Sequence, residues 1–303
     1  MTSRFEPGPV HQPEWLHGRG VGPRLIWSRG TDGKLLATAR ARETGELYFC
    51  DSSPALYRLS RNGQIVAKAP LPQQPVLLDW SDDGSAGALV LGDDLVLRVR
   101  ADLQVEHEIQ LPDTCLSIAV SPFGNHLISG LASGLNLVFN ERKRRLAQFQ
   151  TLRPLAFIRC CISEPILFAA ADHGLICCHD LQGGEIWQER SWSNVGSLEI
   201  CGAGDLLYLA ALAHGVQVLD GDGGAVGSYV LEGTVHRASV TYEPGRILAA
   251  TVERQLYWLD SDGELLWSTL LPDDVVSLHC DPLGERAVVG LKELGIYALA
   301  WDA

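Results

Sequence analysis

The chain has 303 residues, of which 46% are hydrophobic and 20% charged, with a formal net charge of -13 and a pI near 5.1. That balance provides for a large core, and the acidic surplus repels phosphate backbones, so nucleic acid is not an expected partner. The longest apolar run, Leu206 to Ala213, falls far short of the roughly 20 residues that a membrane-crossing helix takes.

Residues 1–23 carry four Pro and four Gly and no hydrophobic period, which predicts a tail lying on the surface or disordered, with Trp15 and Leu16 able to pin it. Met1 to Val10 has no apolar stretch of the export-signal kind, so the cytoplasm is the expected compartment. The next segment, Arg24-Leu25-Ile26-Trp27-Ser28, is most like Glu264-Leu265-Leu266-Trp267-Ser268 and Glu185-Ile186-Trp187-Gln188 further on. From there the chain reads as short apolar runs between turn residues. Between 234 and 274 four strands are predicted, Val235 to Tyr242, Arg246 to Val252, Gln255 to Asp260 and Leu265 to Leu270, with Pro244-Gly245 and Asp262-Gly263 as turns. Their apolar residues fill both faces, so such a sheet must be covered on both sides.

Copies of the unit supply that cover. The first-hairpin glycine recurs at Gly45, Gly84, Gly124, Gly204, Gly245 and Gly284, with one double interval hiding a degenerate copy at Ser163-Glu164-Pro165. The glycine opening the third strand recurs at Gly134, Gly174, Gly215 and Gly295, and the aspartate ending it at Asp180, Asp220 and Asp260. Leu-Pro follows the fourth strand at 71, 111 and 271. A period near 40 residues with four strands is the mark of a β-propeller blade, so the expected fold is an all-β seven-bladed propeller over 24–303. The blades start near Lys34, Pro75, Cys115, Leu155, Val195 and Val235, and the fourth of them runs to Trp192. The last blade, from Val275, has only three strands of its own. The segment at Trp27 is therefore expected to supply its fourth and close the ring.

Ser121-Pro122-Phe123-Gly124 is similar to the hairpin of WD repeats, and Trp301-Asp302 to the dipeptide that names them. Tyr257 to Trp267 and Asp180 to Trp187 look more like the repeat of pyrroloquinoline-quinone-like (PQQ-like) propellers. The Gly-His pair of WD repeats is missing. The resemblance implies a rigid platform for protein partners in most members and a quinone-dependent dehydrogenase in a minority. The latter use a vicinal disulfide, for which Cys160-Cys161 is the counterpart, but their export signal and calcium-binding carboxylates are not recognisable.

Several residue sets can carry chemistry. The eight cysteines include two adjacent pairs, Cys160-Cys161 and Cys177-Cys178, but neighbours on a strand face opposite ways and no Cys-x-x-Cys occurs. They are read as reduced core thiols. Steps of 40 from Asp79 give Ala119, Arg159, Glu199, Ser239 and His279, a polar position in the innermost strands. Arg159 and Glu199 are expected to pair, either as part of a charge network between blades or around a small anion or metal in the channel. His173 and His214 beside Asp172 are read as exposed loop residues, and no metal or cofactor is expected.

Two charged patches are candidate contacts for protein partners. One is the basic hairpin Arg142, Lys143, Arg144 and Arg145. The other is an acidic collar on the opposite mouth made of Asp93, Asp94, Asp113, Glu253, Asp273, Asp274 and Glu293. With no recognisable nucleophile and base pair or phosphate loop, the expected function is a non-enzymatic scaffold for other proteins within a larger assembly. The alternative is a propeller enzyme with its site in the channel mouth, a quinone-type oxidoreductase or a metal-dependent hydrolase.

Overall fold

The computed structural model describes residues 12–190 and 193–301; Trp192 and Asp302 lie outside them. Seven antiparallel sheets follow one another around a ring, six built on four strands of one repeat and the seventh on three strands of its own and one from the start of the chain. Their first strands are Leu35–Arg40, Pro75–Trp80, Cys115–Val120, Phe157–Cys160, Val195–Ile200, Val235–Val240 and Val275–Cys280. Each touches the next, and the seventh returns to the first, so these strands wall a central channel.

The two-faced apolar pattern explains the stacking of the blades. In Arg246–Thr251 the neighbours Ile247 and Leu248 are both fully buried on opposite faces of the sheet. Ile247 packs with Tyr208 and Ala210 of blade five, and Leu248 with Ala287 and Val289 of blade seven. Burying one such side chain is worth roughly 1.5–3 kcal/mol, and every blade does it on both sides. The fourth strands form the rim, and several of them hold only exposed and half-buried residues, as in Arg145–Gln150.

The ring closes as expected. Arg24–Arg29 pairs antiparallel with Gly295–Ala300, with Leu25 opposite Leu299, Trp27 opposite Ala298 and Ser28 opposite Tyr297. Trp27 Nε1 donates to Arg61 O of blade one at 3.0 Å, as Trp187 Nε1 does to Gly221 O at 2.8 Å. The outer strand of one blade is thus tied to the outer hairpin of the next.

From Gln12 onward the tail is an ordered strap. Glu14–Leu16 forms a 3-10 turn, and Arg19–Gly20 adds a fifth strand to blade six opposite Ser268 and Trp267. Leu16 is buried in a cluster with Trp267, Trp15 meets Tyr297 edge-on at 5.4 Å, and Thr269 Oγ1 donates to Trp15 O. The glycines here serve close approach: a Cβ at Gly18 or Gly20 would overlap the carbonyls of Ser268 or Leu266.

The missing copies of the repeat marks are also present. Between Gly215 and Gly295, the residue opening the third strand of blade six is Arg254, at φ 69°. The aspartates at 180, 220 and 260 each accept two backbone N–H bonds from the following hairpin, and Asn140 does the same for Arg142 and Arg144 in blade three.

Candidate functional site: the channel and the linker face

Each first strand begins at the face carrying the blade-to-blade links and the second-to-third-strand hairpins, here the linker face, and runs toward the face with the remaining hairpins. The polar position found by 40-residue steps therefore lies inside the channel. Asp79, Arg159, Glu199, Ser239 and His279 line one cavity of about 300 Å³, together with Thr38, Arg40, Arg42, Asp82 and Arg237. Counting in steps of 40 misses Arg42, Asp82 and Arg237, because they sit at other positions of their repeats.

Arg159 and Glu199 meet: Nη2 and Nε of Arg159 reach Glu199 Oε1 at 2.7 and 3.3 Å. Nearer the hairpin face, Arg42 forks onto both oxygens of Asp82 at 2.8 and 3.0 Å, and its guanidinium lies 4.7 Å from the ring of Tyr242 on blade six. Asp79 and Ser239 act as staples between blades. Asp79 Oδ2 accepts the N–H of Val120 at 2.7 Å and Ser239 Oγ that of Cys280 at 2.9 Å, in each case 41 residues along the chain. Ser197 takes Ala238 N–H in the same way. His279 Nε2 shares a 2.6 Å hydrogen bond with Thr38 Oγ1, which in turn reaches Ser277.

These side chains are half-buried or buried along a channel walled by the seven first strands, and burial shifts their titration. It pushes Asp79 up to about 6, against the pull of Arg159 and the Val120 and Trp80 N–H groups. It lowers His279 to about 3, helped by Arg40, Arg159 and Arg42, so this imidazole is neutral at pH 7.

The acidic collar divides on inspection. Asp273 is buried, its Oδ2 accepting the N–H groups of Glu293 and Leu294 and its Oδ1 that of Asp274, so it braces the link to blade seven. Asp113 braces Thr114 and Ser133, and Glu253 braces Thr234. Asp274 pairs with Arg254 at 2.8 Å and Glu293 with Lys34 at 2.9 Å, both at the surface. Asp93 is exposed and Asp94 half-buried on the blade-two hairpin. Opposite, Arg142, Arg144 and Arg145 are exposed, with Arg142 3.6 Å from Glu141.

Charge alone overlooks an apolar feature of the linker face. Leu36, Val76 and Leu116, one repeat apart at the start of adjacent first strands, are 37%, 52% and 39% exposed at the channel mouth. Leu152 on the link to blade four and Leu294 on the blade-seven hairpin are exposed on the same face. The signal was a large hydrophobic residue at three successive fortieth positions, 36, 76 and 116, where burial does not require one.

All eight cysteines are free and buried. Cys160 and Cys177 pack on one side of blade four, Cys161 and Cys178 on the other, as strand alternation requires. Burial pushes the thiols of Cys177 and Cys178 up to about 12, far from a reactive thiolate. His173 is exposed and bonded to Asn194 at 2.8 Å, His214 is exposed, and no group of three metal-ligating side chains converges among the described residues. No helix among them is long and apolar enough to cross a membrane. No protein-family model matches this sequence, and no curated protein matches it. The structure is that of a seven-bladed β-propeller.

Proposed function

We propose that this propeller is a non-enzymatic interaction scaffold within a larger assembly, docking a protein partner on its linker face. The observation that supports this best is the exposed arc Leu36, Val76 and Leu116 across blades one to three. The three stand at equivalent positions on adjacent blades, and apolar surface gathered on one face marks interaction sites. Asp93 and Asp94 stand on blade two beside the arc, so the complementary partner is a segment with apolar anchors flanked by Lys or Arg. The role agrees with the platform function that the resemblance to WD-repeat rings implies.

The test is purification of the tagged chain from its native host, which is expected to bring down one protein in fixed ratio. Val76→Glu with Leu116→Glu should release it, Asp93→Lys with Asp94→Lys should weaken it, and Arg142→Glu with Arg144→Glu should leave it bound. Retention by the apolar double variant overturns the choice of face. A cofactor absorption band or tightly bound metal, with no protein partner, would replace the scaffold by an enzyme working in the channel.

A further inference from the structure

The channel carries more cationic groups than its acidic groups match. Four arginines, at 40, 42, 159 and 237, line the cavity against three carboxylates, Asp79, Asp82 and Glu199. Arg42 and Arg159 are matched by Asp82 and Glu199. Arg237 has no carboxylate: its Nε donates to Val276 O at 3.3 Å and its Nη1 to Gly196 O and His236 O at 2.7 and 3.1 Å, so none of these bonds uses Nη2. Arg40 is 9% exposed; the buried Asp281 offsets part of its charge through space, but its Nε and Nη1 are buried without partners. The remaining carboxylate, Asp79, already accepts the Val120 N–H.

A half-buried guanidinium held only by neutral carbonyls has given up part of its water without gaining a counter-charge, and the unpaired buried donors of Arg40 add to that cost. Burial and the neighbouring Arg159 both push the Arg237 guanidinium to give up its proton more readily than in water, so the positive charge there is uncompensated. A planar guanidinium matches two oxygens of a carboxylate or phosphate, and in a walled cavity such a pair is stronger than at a surface. A space of about 300 Å³ admits an ion of a few heavy atoms and not a polymer.

We infer that the channel binds a small oxyanion of the carboxylate or phosphate class, held principally by Arg237, with Arg40 and Arg159 adding to the attracting field. The site lies within the channel and does not depend on what docks at the linker face.

Isothermal titration of the full chain with inorganic phosphate and, separately, with malonate, in a buffer free of other small oxyanions, tests this. At least one ion is expected to bind saturably with a Kd below about 1 mM. Arg237→Met should weaken binding at least tenfold, and Asp79→Asn, which removes an opposing negative charge but keeps a group able to accept the Val120 N–H, should tighten it about fivefold. Malonate binding alone assigns the carboxylate class, and phosphate binding alone the phosphate class. Absence of saturable binding of either ion overturns the proposal, as does binding by Arg237→Met equal to that of the parent chain. If Arg237→Met fails to fold by circular dichroism, Asp79→Asn decides, and unchanged or weaker binding there overturns it.

Discussion

Lys143 and Arg254 hold φ values of 63° and 69°, in the left-handed region where a side chain costs roughly 1–2 kcal/mol. Lys143 occupies the place taken by Gly63, Gly183, Gly223 and Gly263 in other blades, each at positive φ. Lys143→Gly is therefore expected to stabilise the protein by about 0.5–1 kcal/mol after the greater freedom of glycine in the unfolded chain is deducted, read as a rise in Tm. The channel residues predict a pH response. His279 titrates near 3 in the fold and near 6.5 unfolded, so between those values the unfolded chain binds the extra proton and stability falls as pH drops. Asp79 has the opposite sign: at about 6 folded and 3.8 unfolded, the folded chain holds the extra proton in that window, and stability falls as pH rises. Relative to the parent chain, the Tm of His279→Gln should rise less steeply from pH 4 to 6 and that of Asp79→Asn more steeply, and parallel calorimetric curves would refute both assignments. Residue type announced the Arg159–Glu199 pair, since two opposite charges one repeat apart seek each other. It could not announce Asp79 and Ser239 as staples, because their partners are backbone N–H groups that any residue carries.

At the level of elements, strands were legible because their apolar residues fill both faces and their turns demand Gly, Asp or Asn at fixed places. The strap was only half legible. Trp15 and Leu16 stood out as anchors, but the Arg19–Gly20 strand pairs through its backbone and has no hydrophobic pattern to betray it. Its effect is to cover Trp267, which is fully buried although its Nε1 has no hydrogen-bond partner. Removing residues 1–22 is expected to redden tryptophan emission as Trp267 and Trp301 meet water, and to cost about 2 kcal/mol from the loss of Leu16 burial. Unchanged emission would mean that the strap covers nothing. The acidic collar was legible only in part, for a related reason. Asp113, Asp273 and Glu253 lie at chain crossings where unpaired N–H groups need an acceptor, and sequence does not separate a bracing carboxylate from a free one.

For the whole molecule, sevenfold repetition lets each blade bury its neighbours, and polar pairs between blades set their register. The Arg159–Glu199 pair is partly wetted, with side chains 34% and 20% exposed, so its loss should cost less than the roughly 3–5 kcal/mol of a dry pair. Glu199→Gln is expected to lower stability by about 1–2 kcal/mol in urea unfolding, with the slope of the transition unchanged. The circle was countable from glycines and aspartates alone, whereas the choice of linker face needed coordinates to tell exposed apolar residues from buried ones. Closure by Arg24–Arg29 onto Gly295–Ala300 also has a bearing on biosynthesis. Arg24–Arg29 must wait, its apolar side chains uncovered, until its partner strand, about 270 residues further along the chain, has been made. Six blades can assemble before that point, but the seventh is completed only once Gly295–Ala300 has emerged, and in that interval the growing chain has most need of a chaperone.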